Sequence, residues 1–179
     1  KGQSTSLTNL GMTFFAMKNI ADAKACFDKA KTICHHTGDR YGEAAAWGNL
    51  GLVYLHEKNT EKAFYCYQYA LDVFNELGSL QGVARSLGNL ANYFVSLGEF
   101  EEALRHYEDS INLFQELGDP LEVAQSLANA ALAYANLGDF KKAIDLTNRA
   151  IDIYEQADWI ETDHLHTRVS VWKTSHGQA

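Results

Sequence analysis

The sequence predicts an all-α solenoid of four stacked helical hairpins closed by a C-terminal capping helix. Three observations predict it. Asn9, Asn49, Asn89 and Asn129 recur every 40 residues without an insertion, and a fixed period of that size marks a repeat array. The 179 residues contain a single proline, too few breakers for an all-β chain. Gly38-Asp39, Gly78-Ser79 and Gly118-Asp119 separate the units, and glycine followed by a capping residue is how one helix stops and the next starts.

The first helices are predicted over 3–17, 40–57, 80–97 and 120–137. In each, the asparagine is followed by Leu10, Leu50, Leu90 or Ala130, then by the small residues Gly11, Gly51, Ala91 or Ala131, and three residues later by Phe14, Tyr54, Phe94 or Tyr134. Small side chains recur where two helices touch. Lys18-Asn19, Lys58-Asn59, Gly98-Glu99 and Gly138-Asp139 turn the chain into second helices over 20–37, 60–77, 100–117 and 140–156. These carry Ala23, Ala63, Ala103 and Ala143, then Phe27, Tyr67, Tyr107 and Thr147, then Ala30, Ala70, Ser110 and Ala150. Only Thr147 interrupts the aromatic column. Pro120 falls in a first turn, where a missing amide hydrogen costs little. Such helices are about 25 Å long. The repeats are therefore placed at about 4–39, 40–79, 80–119 and 120–157, with the cap at about 159–175.

The beat stops at Trp159. Val169 and Ser170 stand where a fifth Asn-Leu pair would fall, while Trp159, Ile160, Leu165 and Val169 offer an apolar face for the last hairpin, as a solenoid end requires. Trp172 is left either exposed or docked on another chain.

Composition narrows the function. With 46% hydrophobic and 21% charged residues the chain is globular, and its net charge of -8 repels nucleic acid and anionic lipid. No apolar run reaches membrane-spanning length. The start, Lys1-Gly2-Gln3-Ser4, shows neither a signal core nor an initiating Met, so a soluble piece of a larger protein is expected. Cys26, Cys34 and Cys66 form an odd set without CxxC spacing and read as reduced cytoplasmic thiols. Cys26, Cys66 and His106 share one column, expected to face outward on the second helices. His35-His36 and the stretch from Asp163 to His166 lack the converging ligands of a zinc site. No GxxxxGK[ST], HExxH or GxSxG string occurs; the expectation is no enzyme and no cofactor.

The columns resemble the tetratricopeptide repeat. Unit two carries its pattern as Trp47, Leu50, Gly51, Tyr54, Ala63, Tyr67 and Ala70, and unit one as Leu7, Leu10, Gly11, Phe14, Ala23, Phe27 and Ala30. The resemblance covers residues 3–156 and departs from the family in its period of 40 against the common one of about 34. It departs also in Ala91 and Ala131, which replace glycine, and in lacking the proline after the second helix. The longer second helix with its Gly-Asp turn is similar to the subclass of spindle-orientation adaptors, bacterial peptide-sensing regulators and kinesin light chains. The resemblance implies a right-handed α-α superhelix whose first helices line a concave groove for a peptide or helical segment of a partner protein.

In that groove should stand Thr5, Ala45, Arg85 and Gln125; Thr8, Gly48, Gly88 and Ala128; Met12, Leu52, Asn92 and Leu132; and Phe15, Leu55, Val95 and Ala135, beside the asparagines. The candidate contacts are Asn49, Asn89 and Asn129 for a ligand backbone, Leu52, Leu55 and Leu132 for apolar contact, and Arg85 with Asn92 and Gln125 for polar anchoring. Two roles stay open for the asparagine ladder: tying first helices to neighbouring backbone, or binding a ligand main chain. Gly48 and Gly88 likewise admit either a neighbouring helix or a ligand coming close. Thr8, Met12 and Leu52 stand where the chaperone-tail clamp of the family has lysine and asparagine, so chaperone tails are not expected partners. Two alternatives to an adaptor are a ligand-sensing domain governing an attached effector, and self-assembly through the C-terminal helix and the apolar first helix.

Overall fold

The computed structural model describes residues 2–157 and 162–175. Among these, α1 (Gly2–Ala16) and α2 (Ile20–Thr37) form the first hairpin, α3 (Arg40–His56) and α4 (Thr60–Glu76) the second. The third is α5 (Leu80–Leu97) with α6 (Phe100–Leu117), the fourth α7 (Pro120–Asn136) with α8 (Phe140–Gln156), and α9 (Asp163–Ser175) follows. The all-α repeat architecture is as the sequence predicts, with boundaries within one or two residues for α1 to α8. The expected start of the cap, with Trp159 and Ile160, lies outside the described residues.

Side chains begin most of the helices. Asn19, Asp39, Asn59, Asp119 and Asp139 each accept a hydrogen bond from the backbone amide three residues on, and the Ser79 hydroxyl accepts one from Gly82. Each cap is worth about 1 kcal/mol. Gly38, Gly78 and Gly118 end the second helices at positive φ. At the turns within hairpins Gly98 and Gly138 do the same, but Lys18 and Lys58 hold φ 59° with a side chain.

The chain divides into two compact units, Lys1–Tyr93 and Phe94–Ala179. In the first, the repeat columns become packing. An added Cβ at Gly11 would stand 2.5 Å from the Phe27 ring, and one at Gly51 2.3 Å from the Tyr67 ring; each second helix seats an aromatic on the bare backbone of its own first helix. Leu50 joins Ala23, Phe27, Val53 and Cys66 in one cluster, while Leu90 joins Ala63 and Tyr67 in another. The column leucine thus covers the previous hairpin's ring. At the other end of that column Leu10 is 45% exposed and lines an open apolar cleft with Leu7 and Ile33.

In the second unit Ala103, Tyr107, Phe114, Leu127, Ala131, Ala143 and Ala150 are buried in the same columns and between them. Thr147 is buried too, its hydroxyl donating to the Ala143 carbonyl at 2.8 Å, so the missing aromatic leaves no orphan polar group. Leu165 and Val169 of α9 are buried, as a capping face requires, and Trp172 is half-buried.

The column of Cys26, Cys66 and His106 corrects an expectation. Cys26 and Cys66 are buried, and His106 stacks on Phe94 at 5.2 Å, because this column faces the aromatic column of the first helices and not solvent. The cysteines are free. Burial pushes the Cys66 thiol up to about 11 and the Tyr67 phenol up as well, its hydroxyl having no hydrogen-bond partner among the described residues.

Four outcomes follow for stability, all read by thermal or urea unfolding. Gly51→Ala should cost about 2 kcal/mol or more, because the Tyr67 ring must move. Gly48→Ala should be neutral or stabilising by up to about 1 kcal/mol, since its Cβ would meet only Asn89 Nδ2 at 3.8 Å and Ala70 at 3.9 Å, which is ordinary contact. Stability should fall as pH rises from 9.0, the ordinary thiol value, towards about 11, because there the unfolded chain releases a proton that the fold retains. The raised Tyr67 phenol extends that fall above the ordinary value of 10.0. Tyr67→Phe should therefore flatten the alkaline slope and add about 1 kcal/mol near neutral pH by deleting a buried unpaired hydroxyl.

Candidate partner-binding surface

In the first unit the candidate residues lie on the strip of α3 and α5 that packing leaves over. Leu50 and Val53 point inward and are fully buried, while Asn49, Leu52 and Leu55 are half-buried. Leu52 and Leu55 rest on the cluster of Ala63, Tyr67 and Leu90, so each offers only part of its side chain to a partner. Asn89 and Asn92 are half-buried on α5 and Arg85 is exposed.

The asparagines are informative for what they do not do. A Cβ at Gly48 would face Asn89 Nδ2, so the Asn89 amide lies along the α3 backbone, yet neither Asn49 nor Asn89 spends its side chain on a hydrogen bond among the described residues. The tie to neighbouring backbone is not formed at these two rungs. Gly48 is open enough for a methyl group, so no helix of the first unit requires a glycine there.

In the second unit Asn129 and Leu132 are half-buried on α7 and Gln125 is exposed. Gln125 Nε2 donates to Asn129 Oδ1 at 3.3 Å, and Gln125 Oε1 accepts from the Tyr154 hydroxyl at 3.5 Å. Gln125 and Asn129 line a cavity of about 190 Å³ that reaches from α7 to α9 and includes His164 and Arg168. Sequence reasoning missed Arg168. In the 40-residue beat Leu165 and Val169 hold the places of Gln125 and Asn129, which should face outward; their burial shows that α9 is turned relative to the other first helices. That turn brings Arg168 to the cavity, and no repeat column could have announced it.

No helix of the described residues is long and apolar enough to cross a membrane, and no group of three or more His, Cys, Asp or Glu among them is placed to hold a metal ion. His35 Nδ1 instead meets the Glu43 carboxylate at 3.2 Å.

Known structures share the fold. BtubC from P. vanneervenii matches with a TM-score of 0.69 at 23% identity over 88% of this chain and 65% of that one. A Rap protein solved in complex with competence and sporulation factor matches with a TM-score of 0.86 at 19% identity over 98% of this chain and 49% of that one. The N-terminal domain of stress-induced protein-1 from C. elegans matches with a TM-score of 0.58 at 18% identity, over 75% and 97% of the two chains. The chain thus spans under two thirds of the length of the first two. No curated protein sequence matches it. The family model for the tetratricopeptide repeat matches three overlapping stretches, residues 2–76, 42–116 and 82–156. Those stretches contain every column described above, so the chain belongs to the tetratricopeptide repeat family.

Proposed function

We propose that the chain is a cytoplasmic adaptor module that receives an extended or helical segment of a partner protein against its first helices, by recognition and without catalysis or a cofactor. The observation that carries this reading is the unspent hydrogen-bonding capacity of Asn49 and Asn89, two half-buried amides that find no partner among the described residues. A half-buried amide without a partner gains most from a ligand that supplies one. Beside them in the first unit Leu52 and Leu55 offer apolar area and Arg85 and Asn92 offer polar contacts; in the second unit Leu132 offers apolar area and Gln125 and Asn129 offer polar contacts. The Rap protein of the same fold is known in complex with competence and sporulation factor, a precedent for such a scaffold holding a partner.

The test is a pull-down with the parent beside the double variant Asn49→Ala, Asn89→Ala and the single variant Gly48→Ala. Neither should melt below the parent, because no intramolecular hydrogen bond is removed and Gly48 has room. Partners held by the parent should be lost by the double variant and weakened by the extra methyl group. Equal capture by all three defeats the reading.

A second reading, self-association, is favoured by the apolar cleft of Leu7, Leu10 and Ile33. Light scattering at two concentrations should then show growth that Leu10→Glu abolishes; a concentration-independent monomer excludes it.

A further inference from the structure

We propose that the cleft between α7 and α9 is an anchor for a carboxylate of a peptide partner, gripped by the Arg168 guanidinium together with the Asn129 amide. The proposal deepens the adaptor reading and rests on it for the ligand's being a peptide.

The cleft is built from donors. Arg168 is half-buried beside the fully buried Leu165, lines the cavity, and makes no ion pair or hydrogen bond among the described residues. Its guanidinium therefore presents five N–H groups in a planar fork, the geometry that matches a carboxylate in two parallel bonds. Burial lowers the Arg168 pKa, with no carboxylate among the described residues acting against it, as for a cation stripped of part of its water. No carboxylate is among the described residues that line the cavity.

The amides complete the polarity. Tyr154 donates to Gln125 Oε1, so Gln125 turns its Nε2 to Asn129, and Asn129 accepts through Oδ1. The relay leaves Asn129 Nδ2 with its two hydrogens unspent and engages the oxygen of each amide once. His164 stands at the rim, exposed. An arginine and an amide donor beside a cavity of about 190 Å³ suit an anion the size of a carboxylate. A cation would meet Arg168, and an apolar side chain would strand the donors.

The contrast with the larger cleft of about 390 Å³ between α6, α7 and α8 supports the assignment. There Arg105 is already held by Glu102 at 2.7 Å, and Glu108 shares the lining with Arg149. Its lining holds charges of both signs, whereas no carboxylate is among the residues that line the Arg168 cleft.

The experiment is a titration of the ¹⁵N-labelled chain with three probes: acetyl-trialanine with a free C-terminal carboxylate, its C-terminal amide, and acetyl-glutamate methylamide. The carboxylate probes should shift the Arg168 Nε–Hε and Asn129 Nδ2 resonances saturably, and the amide probe should not. A response to acetyl-trialanine alone assigns the anchor to a chain terminus, and a response to acetyl-glutamate methylamide to an acidic side chain. Arg168→Gln should weaken the competent probe about tenfold or more. Asn129→Asp, which sets an internal carboxylate against Arg168, should do the same, so that the result does not hang on one variant. No shift with either carboxylate, an equal shift with the amide, or an unchanged affinity in both variants overturns the proposal. The probes read this cleft without a protein partner: probe binding without partner capture would sink only the adaptor reading, and partner capture sensitive to Asn49 and Asn89 but without probe binding would sink only the carboxylate anchor.

Discussion

The seating of an aromatic ring on a bare stretch of helix backbone is the contact on which the rest of the first unit depends. Phe27 over Gly11 and Tyr67 over Gly51 leave no space for a methyl group, so they fix how closely the two helices of a hairpin approach. The same rings then serve as the floor for the next hairpin, Leu50 covering Phe27 and Leu90 covering Tyr67. One side chain thus sets both the distance within a repeat and the contact between repeats. Close-packed interiors tolerate little change at such a point. An insertion of a single residue would turn each ring about 100° off its seat, which gives the uninterrupted 40-residue beat a physical reason.

This packing also decides which part of a first helix is left for binding. On α3, Leu50, Gly51 and Val53 are committed to the core, and Leu52 and Leu55 are half committed. What remains is a narrow strip in which Asn49 is the polar member. A strip of that kind, spanning about one residue per turn, is poorly suited to a deep pocket and well suited to a main chain laid alongside it. The recognition inferred for this module therefore follows from the shortage of free surface as much as from the identity of the residues.

The fold was legible because its determinants are periodic. Asn9 to Asn129, the small residues after them and the aromatic columns could be aligned with one another inside a single chain, and the caps at Asn19, Asp39, Asn59, Asp119 and Asp139 formed where polar residues followed a turn. The direction of one column was not legible: Cys26, Cys66 and His106 mix small, soft and polar side chains, so no hydrophobic pattern announced that they face the first helices. The candidate strip was legible in position, since Asn49, Leu52 and Leu55 are half-buried as a groove lining should be. Its use was not, because two asparagines alike in sequence behave differently in space: Asn129 accepts from Gln125, whereas Asn89, with Arg85 at the place of Gln125, makes no such bond.

Arg168 shows where periodic reasoning ends. In the first unit the column residues of one hairpin pack on the next, and the beat reports that packing. Helix α9 lacks the repeat columns, so its turn on α8 is set by its own buried Leu165 and Val169 and not by the beat. The residues thereby brought to the cleft answer to no repeat. In a chain of net charge -8, carboxylates are plentiful, and a surface arginine would ordinarily find one at little cost. A half-buried guanidinium without a counter-charge among the described residues has lost solvation that an arriving anion restores.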